Sequence, residues 1–190
     1  MEHLPVTRSI ETERLELKEL TPELWKHMLT YMTDEEIGNS LGLYTPEKIA
    51  LEKEKLLGGG MTNYRISFKN YLMREKASGK VIGKIGYHTW VPAHSRAEIG
   101  YAIDIEAYKN KGYMGEAMKA VLTDGFEYMH LHRVEALVGP ENIPSLKLVE
   151  RFGFKREGVL RQHYYTSEQY HDSVCYGLLA SEYEKLKSGW

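Results

Sequence analysis

The stretch "YKNKGYMGEAMKAVL", Tyr108 to Leu122, decides how the chain is read. It joins a loop of basic and amide side chains, punctuated by Gly112 and Gly115, to an unbroken helix-forming run. From Met114 onward, Met118, Val121, Leu122, Gly125 and Met129 recur at helical intervals, so one face of this helix is expected to pack on a sheet. Working outward, strand patterns flank it. Before it lie Tyr64–Glu75, Lys80–Val91 and Arg96–Asp104, with turns at Ser78-Gly79 and Pro92–Ser95, an antiparallel meander. Nearer the start, "TERLELKEL" alternates Leu15 and Leu17 with charges, as a half-buried strand does.

Thr21-Pro22 opens a helix with Leu24, Met28 and Tyr31 on one face, and Thr45-Pro46 opens a second to about Leu57. Gly58, Gly59 and Gly60 read as a helix stop and connection, because no strand precedes them and no phosphate-binding pattern follows. After the central helix come a short strand, Arg133–Gly139, and a helix in "ENIPSLKLVERFGF". Asn142 caps that helix, Leu148, Val149 and Phe152 form its buried stripe, and Gly153 stops it. Strands Lys155–Tyr165 and Tyr170–Leu179, joined at Ser167–Gln169, close the chain. This order predicts an α+β fold over residues 1–190 as a single domain: a mixed, mostly antiparallel sheet of about seven strands with helices on both faces.

Composition narrows the function. The 190 residues carry 25 Lys plus Arg against 27 Asp plus Glu, a formal net charge of -2, so no basic field exists to hold nucleic acid or an anionic membrane. A single cysteine, Cys175, excludes an internal disulfide framework and fits a reducing, cytoplasmic setting. Neither a signal-like segment nor about 18 consecutive apolar residues occurs, so a soluble chain is expected. His130 and His132 flank Leu131 without any metal-ligand spacing, and no metal is expected. Cys175, His171 and Asp172 share one strand, which does not assemble a nucleophile with a base from elsewhere. "YRISFKNYL" interleaves aromatic and basic residues without a full RNA-binding pattern.

The loop before the central helix suits an anion. A helix start leaves backbone N–H groups unpartnered at the positive end of the helix dipole, and Gly112 lets a ligand approach the backbone while Lys109 and Lys111 add charge. Neither the dinucleotide fingerprint nor the Walker-type phosphate loop is present.

Taken together, "AEIGYAID", "YKNKGYMGEA" and "NIPSLKLVERFGF", with the opening "ETERLELKEL" and the closing "REGVLRQHYY" and "YHDSVCYGLLASEYE", resemble the GNAT superfamily of acetyl-CoA-dependent N-acetyltransferases, in its RimJ/RimL form. The family loop, Q/R-x-x-G-x-G/A, here reads Lys109-Asn110-Lys111-Gly112-Tyr113-Met114, with Lys109 and Met114 departing from it. The resemblance implies that amides from Asn110 to Gly115 hold the coenzyme pyrophosphate. It also implies that Ala102, Ile103 and Asp104 run beside the pantetheine arm, that Asn142 and Ser145 sit by the thioester, and that Arg151 approaches the phosphates.

Acetyl transfer needs a neutral amine, a stabilised oxyanion and a proton for the thiolate. Glu98 is the candidate base, the alternative being a surface carboxylate paired with Arg96 or a lysine. A backbone N–H near Ile103 would meet the oxyanion. The family's tyrosine four residues beyond the helix serine is Val149 here, leaving as proton source Ser145, Tyr164 or Tyr165 where the final hairpin folds over the site, or solvent. The implied partners are acetyl-CoA and an amine acceptor, either a ribosomal-protein N-terminus or a small amine, for a monomer or homodimer. A catalytically inactive acyl-CoA sensor of the same fold is the alternative.

Overall fold

The computed structural model describes residues 7–59 and 67–190. Its elements follow in chain order: β1 (Ser9–Glu11), β2 (Leu15–Leu20), α1 (Pro22–Tyr31), α2 (Asp34–Leu41), α3 (Pro46–Gly59), β3 (Ser67–Glu75), β4 (Val81–Val91), β5 (Arg96–Ile103), α4 (Tyr113–Thr123), β6 (Arg133–Val138), α5 (Ile143–Arg151), β7 (Lys155–Thr166), β8 (Gln169–Leu179) and α6 (Ala180–Leu186). The strands form one sheet of eight in the order β1-β2-β3-β4-β5-β6-β8-β7. Every neighbouring pair is antiparallel except β5 and β6, which run parallel. The α+β fold and the mostly antiparallel sheet are as the sequence patterns predict, with β1 as an additional edge strand.

Caps set the helix starts. Thr21 accepts from the Leu24 N–H at 3.2 Å, and Thr33 with Glu36 forms a reciprocal capping box at the head of α2. The buried face of α1 is Leu24, Trp25 and Met28, whereas Tyr31, expected on that face, is exposed: the stripe turns toward Trp25, whose large ring wins the place. Helix α3 continues through Gly58 to Gly59, past the expected stop, and Gly60 and the segment Tyr64–Ile66 lie outside the described residues.

Alternation along β3 divides the sheet's two faces. Leu72 joins Val81 and the helical residues Leu24, Trp25, Met28, Ile37 and Leu41, while Tyr71 and Met73 face the larger cluster with Ala117, Met118, Val121, Leu122 and Tyr183. Helices α1–α3 thus cover one face, and α4 and α6 the other. Below α4 the chain makes a π-helical turn, Asp124–Tyr128, rather than continuing as α-helix to Met129. The β7–β8 hairpin closes through Ser167 and Glu168, both with positive φ, the two-residue turn whose twist matches the strands. Helix α6 has no counterpart in the sequence reading.

Candidate functional site

The two parallel strands part in the middle of the sheet. Pairing between β5 and β6 covers Arg96–Arg133, Ala97–Val134 and Glu98–Glu135 and then ends, although β5 continues to Ile103 and β6 to Val138. The strands splay beyond Glu98 and open a cleft of about 270 Å³ lined by His88, Glu98, Gly100, Tyr101, Asn142 and Ser145, among others. Backbone groups face it. The Asp104 N–H bonds the Ile82 carbonyl at 2.9 Å on the β4 side. By the two-residue alternation of a strand, Ala102 and Asp104 therefore turn their amides to β4, while Ile99, Tyr101 and Ile103 turn theirs toward the opening. Of the three expected pantetheine residues, Ile103 alone presents its backbone there.

Glu98 sits where the ladder ends, its side chain 20% exposed. Burial raises its carboxyl above the ordinary carboxylate range, and the nearby Glu135 charge adds to this, while His88, His163 and the Thr89 hydroxyl pull it back. His88 Nδ1 lies 3.8 Å from a Glu98 oxygen. The imidazole rests over Gly100: a Cβ built on that glycine would fall 2.1 Å from His88 Nε2. Arg96 is engaged elsewhere, 3.0 Å from Glu135, which also takes Arg133 Nε at 2.8 Å. The carboxylate tied to Arg96 is therefore Glu135, and Glu98 faces a histidine instead.

The loop before α4 has the backbone its glycine suggested. Gly112 is the N-cap, with φ +83°, and contributes no side-chain cap, so the N–H groups of Tyr113, Met114 and Gly115 at the helix start have no capping side chain. Asn110 also has positive φ. Arg14 braces the loop from the end of the first hairpin, donating to the Lys111 carbonyl at 3.0 Å and pairing through Nε with Glu116 at 2.7 Å. Lys109 pairs with Glu106 at 2.7 Å, which offsets part of its charge. Arg151, at the end of α5, reaches across to this turn: a Cβ on Gly115 would lie 3.4 Å from its Nη1. Lys109, Asn110, Lys111, Gly112, Tyr113, Met114, Gly115 and Arg151 thus share one locality.

At the start of α5, Asn142 Oδ1 accepts the Ser145 N–H at 3.2 Å. The Ser145 hydroxyl lies 2.6 Å from the Tyr101 hydroxyl, a contact sequence reading missed because it joins residues 44 apart. Burial raises the Tyr101 phenol, and the Ser145 hydrogen bond opposes that. Val149 is fully buried in the core. Of the two hairpin tyrosines, Tyr164 reaches the cleft wall at Gly139, within 3.4 Å of where a Cβ would stand, whereas Tyr165 packs on Tyr170 at the hairpin end, with ring centroids 4.9 Å apart. His171, Asp172 and Cys175 do not meet: Asp172 accepts from the Gln162 N–H, and His171 lies by the Thr166 carbonyl. Among the described residues no group of three or more His, Cys, Asp or Glu is placed to hold a metal ion, and no helix is long and apolar enough to cross a membrane.

Among the described residues the sheet thus splits at its only parallel pair, with the Glu98 carboxylate in the split and the start of α5 in its wall. Residues 14–155 match the Acetyltransferase (GNAT) domain, and the chain belongs to this family of acetyltransferases, a family that uses acetyl-CoA as cosubstrate. It is 29% identical over 170 residues to the Bacillus subtilis protein named uncharacterized N-acetyltransferase YoaA, covering 90% of this chain and 96% of that one. The crystal structure of a GNAT-family acetyltransferase from Bacillus anthracis superposes with a TM-score of 0.64 at 28% identity, covering 92% of this chain and all of the other. The ribosomal-protein-S5-alanine acetyltransferase of Vibrio fischeri shares the fold, with a TM-score of 0.66 at 20% identity over 92% of this chain and 98% of that one.

Proposed function

We propose that the protein transfers the acetyl group of acetyl-CoA directly to a primary amine, either a protein N-terminal α-amine or a small-molecule amine, with Glu98 as general base. The observation that carries the reading is the half-buried Glu98 carboxylate, with its raised pKa, at the point where β5 and β6 part. An aliphatic ammonium must lose a proton before it attacks, and a carboxylate held above its ordinary range is better matched to that task than an exposed one.

The remaining residues divide the work. The N–H groups at the start of α4, with Lys109, Asn110, Lys111 and Arg151 around them, form the anion grip for the pyrophosphate. Ile103, between Ala102 and Asp104, offers its N–H to the pantetheine arm or to the developing oxyanion. Asn142 holds the first turn of α5 so that Ser145 faces the reacting sulfur. The amine nitrogen forms the new C–N bond, its proton passes to Glu98 directly or through water, the C–S bond breaks, and the sulfur is protonated beside Ser145.

The Vibrio fischeri protein is named for a ribosomal-protein alanine, which makes peptide N-termini the first acceptors to try. Acetyl-CoA is expected to raise the melting temperature, and thiol release with a panel of peptides, ribosomal proteins and polyamines identifies the acceptor. No thermal shift at millimolar acetyl-CoA, together with no thiol release, rules the reading out.

A further inference from the structure

We infer that Tyr101 is the positioning residue for the departing sulfur: its hydroxyl donates to Ser145 Oγ and so aims the Ser145 hydrogen into the cleft at the thiolate. The inference rests on the acetyl-transfer reading above and deepens it. Four residues beyond Ser145 stands Val149, fully buried and apolar, which cannot protonate anything.

Ser145 alone would be a poorly aimed donor, because an aliphatic hydroxyl rotates freely about its C–O bond. Its backbone is already fixed by Asn142 Oδ1, and its hydroxyl is the one remaining freedom. Tyr101 removes that freedom from a different element: β5 brings its hydroxyl to 2.6 Å from Ser145 Oγ, and both residues line the cleft. A phenol is a far stronger acid than an aliphatic alcohol, so the favoured direction is Tyr101 as donor and Ser145 as acceptor. The Ser145 hydrogen is then left pointing elsewhere, and a hydroxyl that accepts a hydrogen bond becomes a better donor in turn.

The Tyr101 ring packs against the main core cluster, which fixes its hydroxyl relative to the sheet. Burial favours the neutral phenol, so it remains a donor through the alkaline range in which an amine is most reactive. When the C–S bond breaks, its electron pair stays on sulfur, the Ser145 O–H hydrogen-bonds to it, and the proton that makes the free thiol comes from water. No oxidant or further reactant is involved.

Three variants test this: Tyr101→Phe, Ser145→Ala and the double substitution, assayed for thiol release and for affinity toward coenzyme A and its sulfur-free analogue, desulfo-coenzyme A. Tyr101→Phe retains the packed ring and is measured below its melting midpoint. It is expected to lower kcat by about tenfold with KM for acetyl-CoA within about twofold, as loss of one hydrogen bond acting in the transition state requires. The double variant is expected to be no slower than Ser145→Ala. The wild type is expected to prefer coenzyme A over the sulfur-free analogue by about threefold or more, and Tyr101→Phe to narrow that preference.

Wild-type kcat in Tyr101→Phe with an unchanged preference overturns the inference, as does a double variant whose loss is the product of the single losses. In either case a wild type that turns over leaves the acetyl-transfer reading standing. A wild type that neither binds acetyl-CoA nor releases thiol removes both.

Discussion

Glu98 and His88 face each other across the β4–β5 ladder, the carboxylate 3.8 Å from the imidazole Nδ1, with the ring seated over Gly100. The seat exists because residue 100 has no side chain. Burial pushes the Glu98 carboxyl up and His88 draws it partly down, so the pH at which the proposed base becomes available is set by this pair together with Glu135 and His163. The base must be ionised to accept the amine proton, so kcat/KM is expected to rise with pH through a limb lying above the ordinary carboxylate value of 4.5.

Glu98→Gln is expected to abolish that limb and lower kcat about a hundredfold or more, the usual scale of general-base catalysis, with acetyl-CoA affinity unchanged. His88→Gln, or Gly100→Ala, which displaces the ring, is expected to move the limb to higher pH. A pH–rate profile of each variant decides the matter, and a limb that stays near 4.5 in all of them contradicts the assignment.

The same carboxyl makes a prediction about stability. Its folded pKa lies above its unfolded value, so between the two the folded state holds more protons than the unfolded one. Its contribution is then fully present below the unfolded value and is lost as pH rises through the folded one. Glu98→Gln has no charge to bury, so it is expected to melt near the wild type at pH 4 and above it at pH 8. Thermal melts across that range measure the difference, and a variant less stable than wild type at pH 8 shows that the carboxylate is stabilised by its surroundings rather than strained by them.

Local signals carried most of the fold to the sequence reader. Thr21-Pro22, Ser78-Gly79 and Asn142 each fix a boundary through their own backbone chemistry, and those boundaries stand within a residue or two. What stayed hidden depends on contacts distant in sequence. Tyr31 lost its place on the core face to Trp25, a choice periodicity cannot make between neighbouring positions. The meeting of Tyr101 with Ser145, and of Arg151 with Gly115, depends on how β5, α4 and α5 converge where the sheet splits. Glu98 was legible as a carboxylate on a strand; that its neighbour is His88 rather than Arg96 followed only from the register of β4 on β5.

At the head of α4, Gly112 and Arg151 are expected to act through different terms. Gly112→Ala has open space around it, the nearest atom being Arg14 Nη2 at 3.4 Å, but forces a side chain into left-handed backbone at a cost of about 1–2 kcal/mol. It is expected to lower both the melting temperature and coenzyme affinity. Arg151→Ala leaves the backbone intact and removes one exposed charge, so stability is expected to hold while acetyl-CoA affinity falls about three- to tenfold, less at high salt. Calorimetric titration at two ionic strengths separates the two, and an affinity loss in Arg151→Ala that is indifferent to salt argues against a phosphate contact.

Asp124 offers a test of the scaffold apart from the cleft. Its side chain is 1% exposed in the π-helical turn, where Oδ2 accepts from the Tyr71 hydroxyl at 2.8 Å and lies 3.0 Å from Lys69 Nζ. Arg8 meets Oδ1 at 2.5 Å as an ion pair, without the alignment of a hydrogen bond. The cluster works as a unit: the carboxylate is tolerated inside because two cations and a phenol face it, and Lys69, itself only 15% exposed, is tolerated because of the carboxylate. Asp124→Ala strands that ammonium and the Tyr71 hydroxyl together, and is expected to cost about 3–5 kcal/mol, or on the order of 10 °C in melting temperature for a chain of this size. Adding Lys69→Met removes the stranded cation and is expected to recover part of the loss, so the double variant should melt above the single one. Asp124 does not line the cleft, so thiol release per folded molecule is expected to stay at the wild-type level well below the melting range. A double variant that melts no higher than Asp124→Ala would mean that the lost stability came from the tyrosine hydrogen bond and local packing rather than from the uncompensated charge.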